Sequence, residues 1–166
     1  MKPSIIVAFG KPGAGKSYVA GILEKRFGYL SYNGDDALPP VMKEKLFQKA
    51  EITEDMRNQF LINMIEAVKK LSQEHKNIVI HQTFLKEYMR KKFIEALPRV
   101  TFLLVECDDA VRETRYLKRS YFNLGLSYLR QMTKLFEPVH IPHEMIINNE
   151  EGPEEITKQL QNIIDT

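Results

Sequence analysis

Residues Gly10-Lys11-Pro12-Gly13-Ala14-Gly15-Lys16-Ser17 fit G-x-x-x-x-G-K-[ST] at every defined position, directly after a continuous β-rich run, Ser4-Ile5-Ile6-Val7-Ala8-Phe9. A strand, a glycine-rich turn and a helix in that order leave few folds open. The glycines let the backbone curl so that successive N–H groups point at phosphate oxygens, and the helix that follows adds its positive end. Lys16 reaches the β- and γ-phosphates as a point charge, and the Ser17 hydroxyl is placed to ligate Mg²⁺. The nucleotide side is expected to use Gly10, Lys11, Gly13, Ala14, Gly15, Lys16, Ser17 and the adjoining Tyr18.

The rest of the chain alternates strand and helix patterns. A helix from Lys16 to Phe27 stops at Gly28, and Leu30-Ser31-Tyr32 forms a second strand that runs into Asn33-Gly34-Asp35-Asp36. Beyond Pro39-Pro40 lies a Lys-rich helical stretch. Thr53 then caps a helix carrying Phe60, Leu61, Met64, Ile65, Val68 and Leu71 at helical spacing. Ile78-Val79-Ile80, Val100 to Val105 and Glu144 to Ile147 complete the strands. Helices are expected at Lys86 to Leu97, after Asp108 or Asp109, from about Tyr121 to Phe136, and after Gly152-Pro153 with the proline in the first turn. The order predicts an α/β, three-layer P-loop NTPase fold: a five-stranded parallel sheet flanked by helices, with a helical lid. With 166 residues and no linker composition, residues 1–166 are expected to form a single domain.

Composition narrows the function classes. Hydrophobic residues at 43% and charged residues at 28% argue against disorder, and a net charge of +2 gives no nucleic-acid footprint. No apolar run approaches the ~18 residues a membrane helix needs, and nothing reads as a secretory leader, so a cytoplasmic protein is expected. Cys107 is the sole cysteine and reads as a small buried hydrophobe, while His140 and His143 read as loop residues. The guanine-reading N-K-x-D and the D-x-x-G of switch GTPases are absent. The third strand ends in His81-Gln82-Thr83 with no Walker-B acid, which leaves the small kinases as the best fit.

Candidate residues follow from their positions. Asp35 and Asp36 sit at the carboxyl edge of the sheet, where a carboxylate can take the acceptor's proton or hold Mg²⁺, or can simply build a turn. Arg57 and Arg90 lie early in helices and suit capture of a carboxylate or phosphate. Arg112, Arg115 and Arg119 share a helix face that can close over a nucleotide, with Arg115 and Arg119 the preferred pair. His81 is a proton carrier or a hydrogen-bonded structural residue.

These residues resemble the gluconate kinase branch of the shikimate-kinase-like P-loop kinases. The similarity runs through Gly34-Asp35-Asp36-Ala37-Leu38-Pro39, Glu51 to Arg57, Phe84-Leu85-Lys86 with Arg90, the lid from Arg115 through Arg119 to Phe122, and Gln131 to Pro138. It implies ATP-dependent, Mg²⁺-assisted phosphoryl transfer to a hydroxyl of a small anionic metabolite, gluconate or a related sugar acid first. In that comparison Lys16, Asp35 and Arg119 are catalytic, and Arg115, Arg119, Asn148 and Pro153 join the nucleotide side. Asp35, Asp36, Arg57, Gln82 and Arg90 bind the acceptor, and Ser17 and Asp35 hold the metal. The chain departs from the family on the acceptor side, with Leu38 for a histidine, Phe60 for a tryptophan, Ser120-Tyr121 for Gly-His, and His81-Gln82-Thr83 for small residues. A nucleoside or nucleotide acceptor, held by Phe60, Tyr88 and Gln82, is the enzymatic alternative, and a non-catalytic ATP-binding regulatory domain is the other. The expected partners are ATP and a small acceptor, with no nucleic acid and no membrane, in a monomer or homodimer.

Overall fold

A computed structural model describes residues 4–120 and 123–166. The buried run after Ser4 forms β1 (Ile5–Phe9), and its continuous hydrophobicity reflects burial on both faces. Ile5, Val7 and Phe9 enter one core, and Ile6 and Ala8 enter the other. α1 (Lys16–Phe27) follows the glycine-rich turn, then β2 (Leu30–Asn33), a single 3-10 turn (Gly34–Ala37), α2 (Pro40–Phe47) and α3 (Glu54–Leu71). Next come β3 (Ile78–His81), α4 (Glu87–Ala96), β4 (Val100–Glu106), α5 (Asp109–Lys118), α6 (Leu126–Leu135), β5 (Glu144–Ile147) and α7 (Glu154–Ile164).

Among the described residues the strands form one parallel sheet in the order β2-β3-β1-β4-β5. Met42 of α2, Phe60 and Met64 of α3 and Phe93 of α4 pack on one face. Val19 and Leu23 of α1 and Ile156 and Leu160 of α7 cover the other, which completes the three layers. β1 is central, so the turn after Phe9 opens at the carboxyl edge between the ends of β3 and β4. Ligands of open α/β sheets bind at such edges.

Two sequence expectations shift. α6 begins at Leu126, not near Tyr121, because Gly125 takes φ +91° and interrupts the helical run. Tyr121 and Phe122 lie outside the described residues. Pro153 stands at the N-cap of α7, one position before the first turn. Thr53 caps α3 as expected, its hydroxyl accepting from the Met56 N–H at 3.2 Å. Among the described residues no helix is long and apolar enough to cross a membrane.

Candidate active site

The loop before α1 is shaped by what holds its carbonyls. Lys16 Nζ donates to Lys11 O at 2.9 Å, Arg112 Nη1 to Pro12 O at 3.4 Å and Asn148 Nδ2 to Ala14 O at 2.9 Å. Gly13 (φ +83°) and Gly15 (φ +98°) occupy the left-handed region. A Cβ on Gly13 would meet Arg112 O at 2.5 Å, and one on Gly15 would collide with Asn148 Nδ2, so both positions exclude a side chain twice over. α1 has no side-chain cap and no acidic residue in its first turn. α3 and α7, by contrast, open with Glu54-Asp55 and Glu154-Glu155. The positive end of α1 is therefore left to an external anion.

Lys16 and Ser17 line a cavity of about 620 Å³ that also takes in Asp35, Arg57, Arg115 and Arg119. Burial pushes the Lys16 ammonium down to about 7, and the positive Arg119 and Arg112 add to this against the pull of the Asp35 carboxylate. Phosphates entering the cavity would supply the charge it lacks. Arg115 is held by a 2.7 Å bond from Nη1 to Asn148 O, and Arg119 packs its guanidinium 4.0 Å from the centroid of Tyr116. Arg112 is buried and pinned by Asp109 at 3.0 Å and Thr133 at 2.9 Å, so it ties α5, α6 and the loop together and is not a lid cation.

The acceptor-side residues separate into those inside the cavity and those outside. Asp35 lines it, its main chain fixed by a 2.9 Å bond from its N–H to Asn33 Oδ1. Asp36 is exposed and does not line it, because successive residues of a 3-10 turn point about 120° apart. That corrects the expectation for Asp36. Arg57 lines the cavity, with Nη1 also bonded to Ile52 O at 3.1 Å and Glu54 at 3.2 Å. Gln82 and His81 line it as well, and burial holds the His81 imidazole below its ordinary value against the Asp35 carboxylate.

Arg90 requires a larger correction. It is fully buried, donating to Phe84 O at 2.8 Å, Pro138 O at 3.1 Å, Leu85 O at 3.3 Å and Glu87 at 3.2 Å, with its guanidinium 4.7 Å from the Phe136 ring centroid. It is a core residue, not an acceptor ligand. Its bond to Phe84 O holds a bulky residue at φ +50°, a conformation that costs on the order of 1–3 kcal/mol. Glu87 completes this hub. Burial raises its carboxyl, but bonds from the His140 and Ile141 N–H groups and from Arg90 outweigh that and hold it below the ordinary range.

Asn148 and Pro153 also stand outside the cavity lining, with Asn148 buried against the loop it supports. Gly10, Lys11, Ala14 and Tyr18 are likewise not among the lining residues, and Lys11 and Ala14 border a separate hollow of about 280 Å³. Tyr88, considered for a base pocket, does not line the cavity, whereas Phe60 does. Thr83, Tyr128 and Gln131 line it without having been expected, as do Met42 and Leu46, whose four-residue spacing on α2 was the signal available. Among the described residues no group of three or more His, Cys, Asp or Glu side chains is placed to hold a metal, and His140 and His143 lie in the segment between α6 and β5. Ser17 and Asp35 offer hard oxygen donors beside Lys16, which suits Mg²⁺, an ion that keeps several waters and takes one or two protein ligands together with substrate phosphates.

Similarity to known proteins agrees with this geometry. A curated relative, the probable gluconokinase of Xenopus tropicalis, is 29% identical over 114 residues, 68% of this chain. The chain's match spans 60% of the length of that relative. Among solved structures, a sugar kinase from Janibacter sp. superposes with a TM-score of 0.82 at 21% identity, covering 98% of this chain and 95% of the other. A gluconokinase from Sinorhizobium meliloti 1021 gives 0.76 at 22% identity, covering 99% and 94%. The model of the AAA domain family matches residues 5–139, from β1 through the lid. The chain belongs to the AAA domain family, and its fold is the one those sugar and gluconate kinases share.

Proposed function

We propose that this protein transfers the γ-phosphoryl group of ATP to a hydroxyl of a small anionic acceptor, with gluconate and related sugar acids as the first class. The observation that carries the reading is the convergence of Lys16, Ser17, Asp35, Arg57, Arg115 and Arg119 on one cavity. A module that only bound nucleotide would need neither a carboxylate nor an arginine opposite its phosphate loop. The probable gluconokinase relative supports the sugar-acid class.

In this reading residues Gly10 to Tyr18 hold the triphosphate, and Lys16 and Arg119 neutralise charge on the transferring group. Arg115 borders the nucleotide, and Arg57 takes the acceptor's anionic group. The acceptor hydroxyl oxygen bonds to the γ-phosphorus as the bond from that phosphorus to the bridging oxygen breaks. The hydroxyl proton passes to the Asp35 carboxylate, and ADP leaves. Where Asp35 works through Mg²⁺ and not as the base, it and Ser17 would hold the ion, which would supply further charge neutralisation to the phosphates. In this reading the protein acts in the cytoplasm, as one catalytic domain.

The test is coupled ADP release with Mg·ATP across sugar acids, shikimate-like polyols, nucleosides and nucleoside monophosphates. Stimulation by gluconate or a close relative is the expected result. Stimulation by nucleosides or nucleotides alone would reassign the acceptor, and nucleotide binding with no stimulated turnover would overturn the kinase reading.

A further inference from the structure

Gln82 reads from sequence as an acceptor ligand, but its side chain is committed elsewhere. β2 and β3 pair in parallel with Asn33 opposite His81, so the chain segments carrying Asp35 and Gln82 leave neighbouring strand ends side by side. The Gln82 carboxamide oxygen accepts the N–H of Thr83 at 2.8 Å. A main-chain N–H can only donate, so this bond fixes which end of the amide is oxygen. The nitrogen then faces the other way and donates to Asp35 Oδ1 at 2.7 Å.

The 3-10 turn lies directly on this side chain. A Cβ on Gly34 would sit 2.9 Å from Gln82 Cβ and 3.0 Å from its Nε2. Asp35 is thus held at two points, its N–H by Asn33 and one carboxylate oxygen by Gln82. That leaves the second oxygen for a proton or a metal. Lys16 at the start of α1, His81 from β3, Arg57 from α3, Arg119 at the end of α5 and Tyr128 from α6 line the same cavity around it. A carboxylate among three cations would swing toward any of them without a fixed neutral donor.

We propose that Gln82 is a positioning residue that aims the Asp35 carboxylate at the acceptor hydroxyl and does not itself bind the acceptor. The proposal rests on the role given to Asp35 above, and it holds whether that carboxylate works as base or through Mg²⁺. Gln82 acts on kcat through Asp35, and it leaves the affinities for both substrates alone.

A double-mutant cycle tests it. Gln82→Met keeps the volume and removes the amide. Its kcat should fall roughly 10- to 100-fold, the worth of a hydrogen bond to a charged group, with both KM values essentially unchanged. In an Asp35→Asn background, Gln82→Met should cost nothing further. Gln82→Glu preserves the shape and the bond to the Thr83 N–H but turns the donor into an acceptor. It should show the same kcat-selective loss, and a fluorescent ATP analogue binding normally to each variant reports an intact fold. A raised acceptor KM with kcat preserved would make Gln82 an acceptor ligand and overturn the proposal, as would losses that multiply in the double variant. A wild type that turns over while Gln82→Met is unaffected overturns Gln82 alone. A wild type that phosphorylates no acceptor overturns the kinase reading, and the proposal falls with it.

Discussion

On the nucleotide side of the cavity the groups proposed to bind are largely main-chain, set by a strand, three glycines and the uncapped start of α1. On the acceptor side the groups proposed to bind are side chains contributed by separate elements, Asp35 from the 3-10 turn, Arg57 and Phe60 from α3 and Tyr128 from α6, with Gln82 after β3 aiming Asp35. The first kind of site depends on a short local pattern and tolerates variation elsewhere. The second kind changes its ligand with each substitution, and it is where this chain carries Leu38, Phe60 and His81-Gln82-Thr83 in place of the residues of the gluconate kinases it resembles. Phosphate chemistry is inherited with the loop, whereas acceptor choice is written into the cavity wall.

The largest effect should come from breaking the nucleotide side. Lys16→Ala removes a cation proposed to neutralise the transferring group, and turnover should fall by about 10³-fold or more together with ATP affinity. Coupled ADP release and a nucleotide-binding titration check this, and turnover at even a tenth of wild type contradicts it. Asp35→Asn should lower kcat by about 10²- to 10⁴-fold while ATP binding stays essentially intact. A loss of ATP affinity like that of Lys16→Ala would erase the difference between the two sides.

Arg90→Met sharpens the comparison from beneath the acceptor wall. Removing one member of a buried pair strands Glu87 and several carbonyls, so stability in urea unfolding should drop by about 3 kcal/mol. The acceptor KM of the folded fraction should not move. A raised KM with unchanged stability would restore Arg90 as a ligand.

The smallest effect is a proton. With Lys16 near 7 in the free protein and 10.5 in the unfolded chain, the unfolded state binds the extra proton between those values, so this group makes stability rise with pH across that window. Bound phosphates should restore the charge. About one pH unit above 7, nucleotide binding should take up close to one proton, measurable by calorimetry in buffers of different ionisation enthalpy. No uptake would mean that Lys16 is already charged when the cavity is empty.

The strands, the phosphate loop and the cap at Thr53 were legible in the sequence because their determinants are local: an apolar run, a spacing, a hydroxyl three residues before an N–H. Asp35 was legible because a strand end at a parallel sheet's carboxyl edge is a site by topology. Arg90 was not, since the partners that bury it, Phe136 and Pro138, lie 46 and 48 positions away and only the fold brings them together. The anchoring of the phosphate loop by Asn148 was not legible for the same reason, because its bond to Ala14 O spans 134 positions. Asp35 and Asp36 are neighbours with one chemistry, and only the geometry of the 3-10 turn separates the one inside from the one in solvent.

The most direct measurement of joint occupancy is ³¹P NMR of the protein with Mg·ATP and gluconate, or whichever sugar acid most stimulates ADP release. Phosphoryl transfer within one cavity predicts a phosphomonoester resonance that grows in step with ADP, with little free phosphate. ADP accompanied by inorganic phosphate and no phosphomonoester would show that water, not an acceptor hydroxyl, receives the phosphoryl group, and would contradict the central claim.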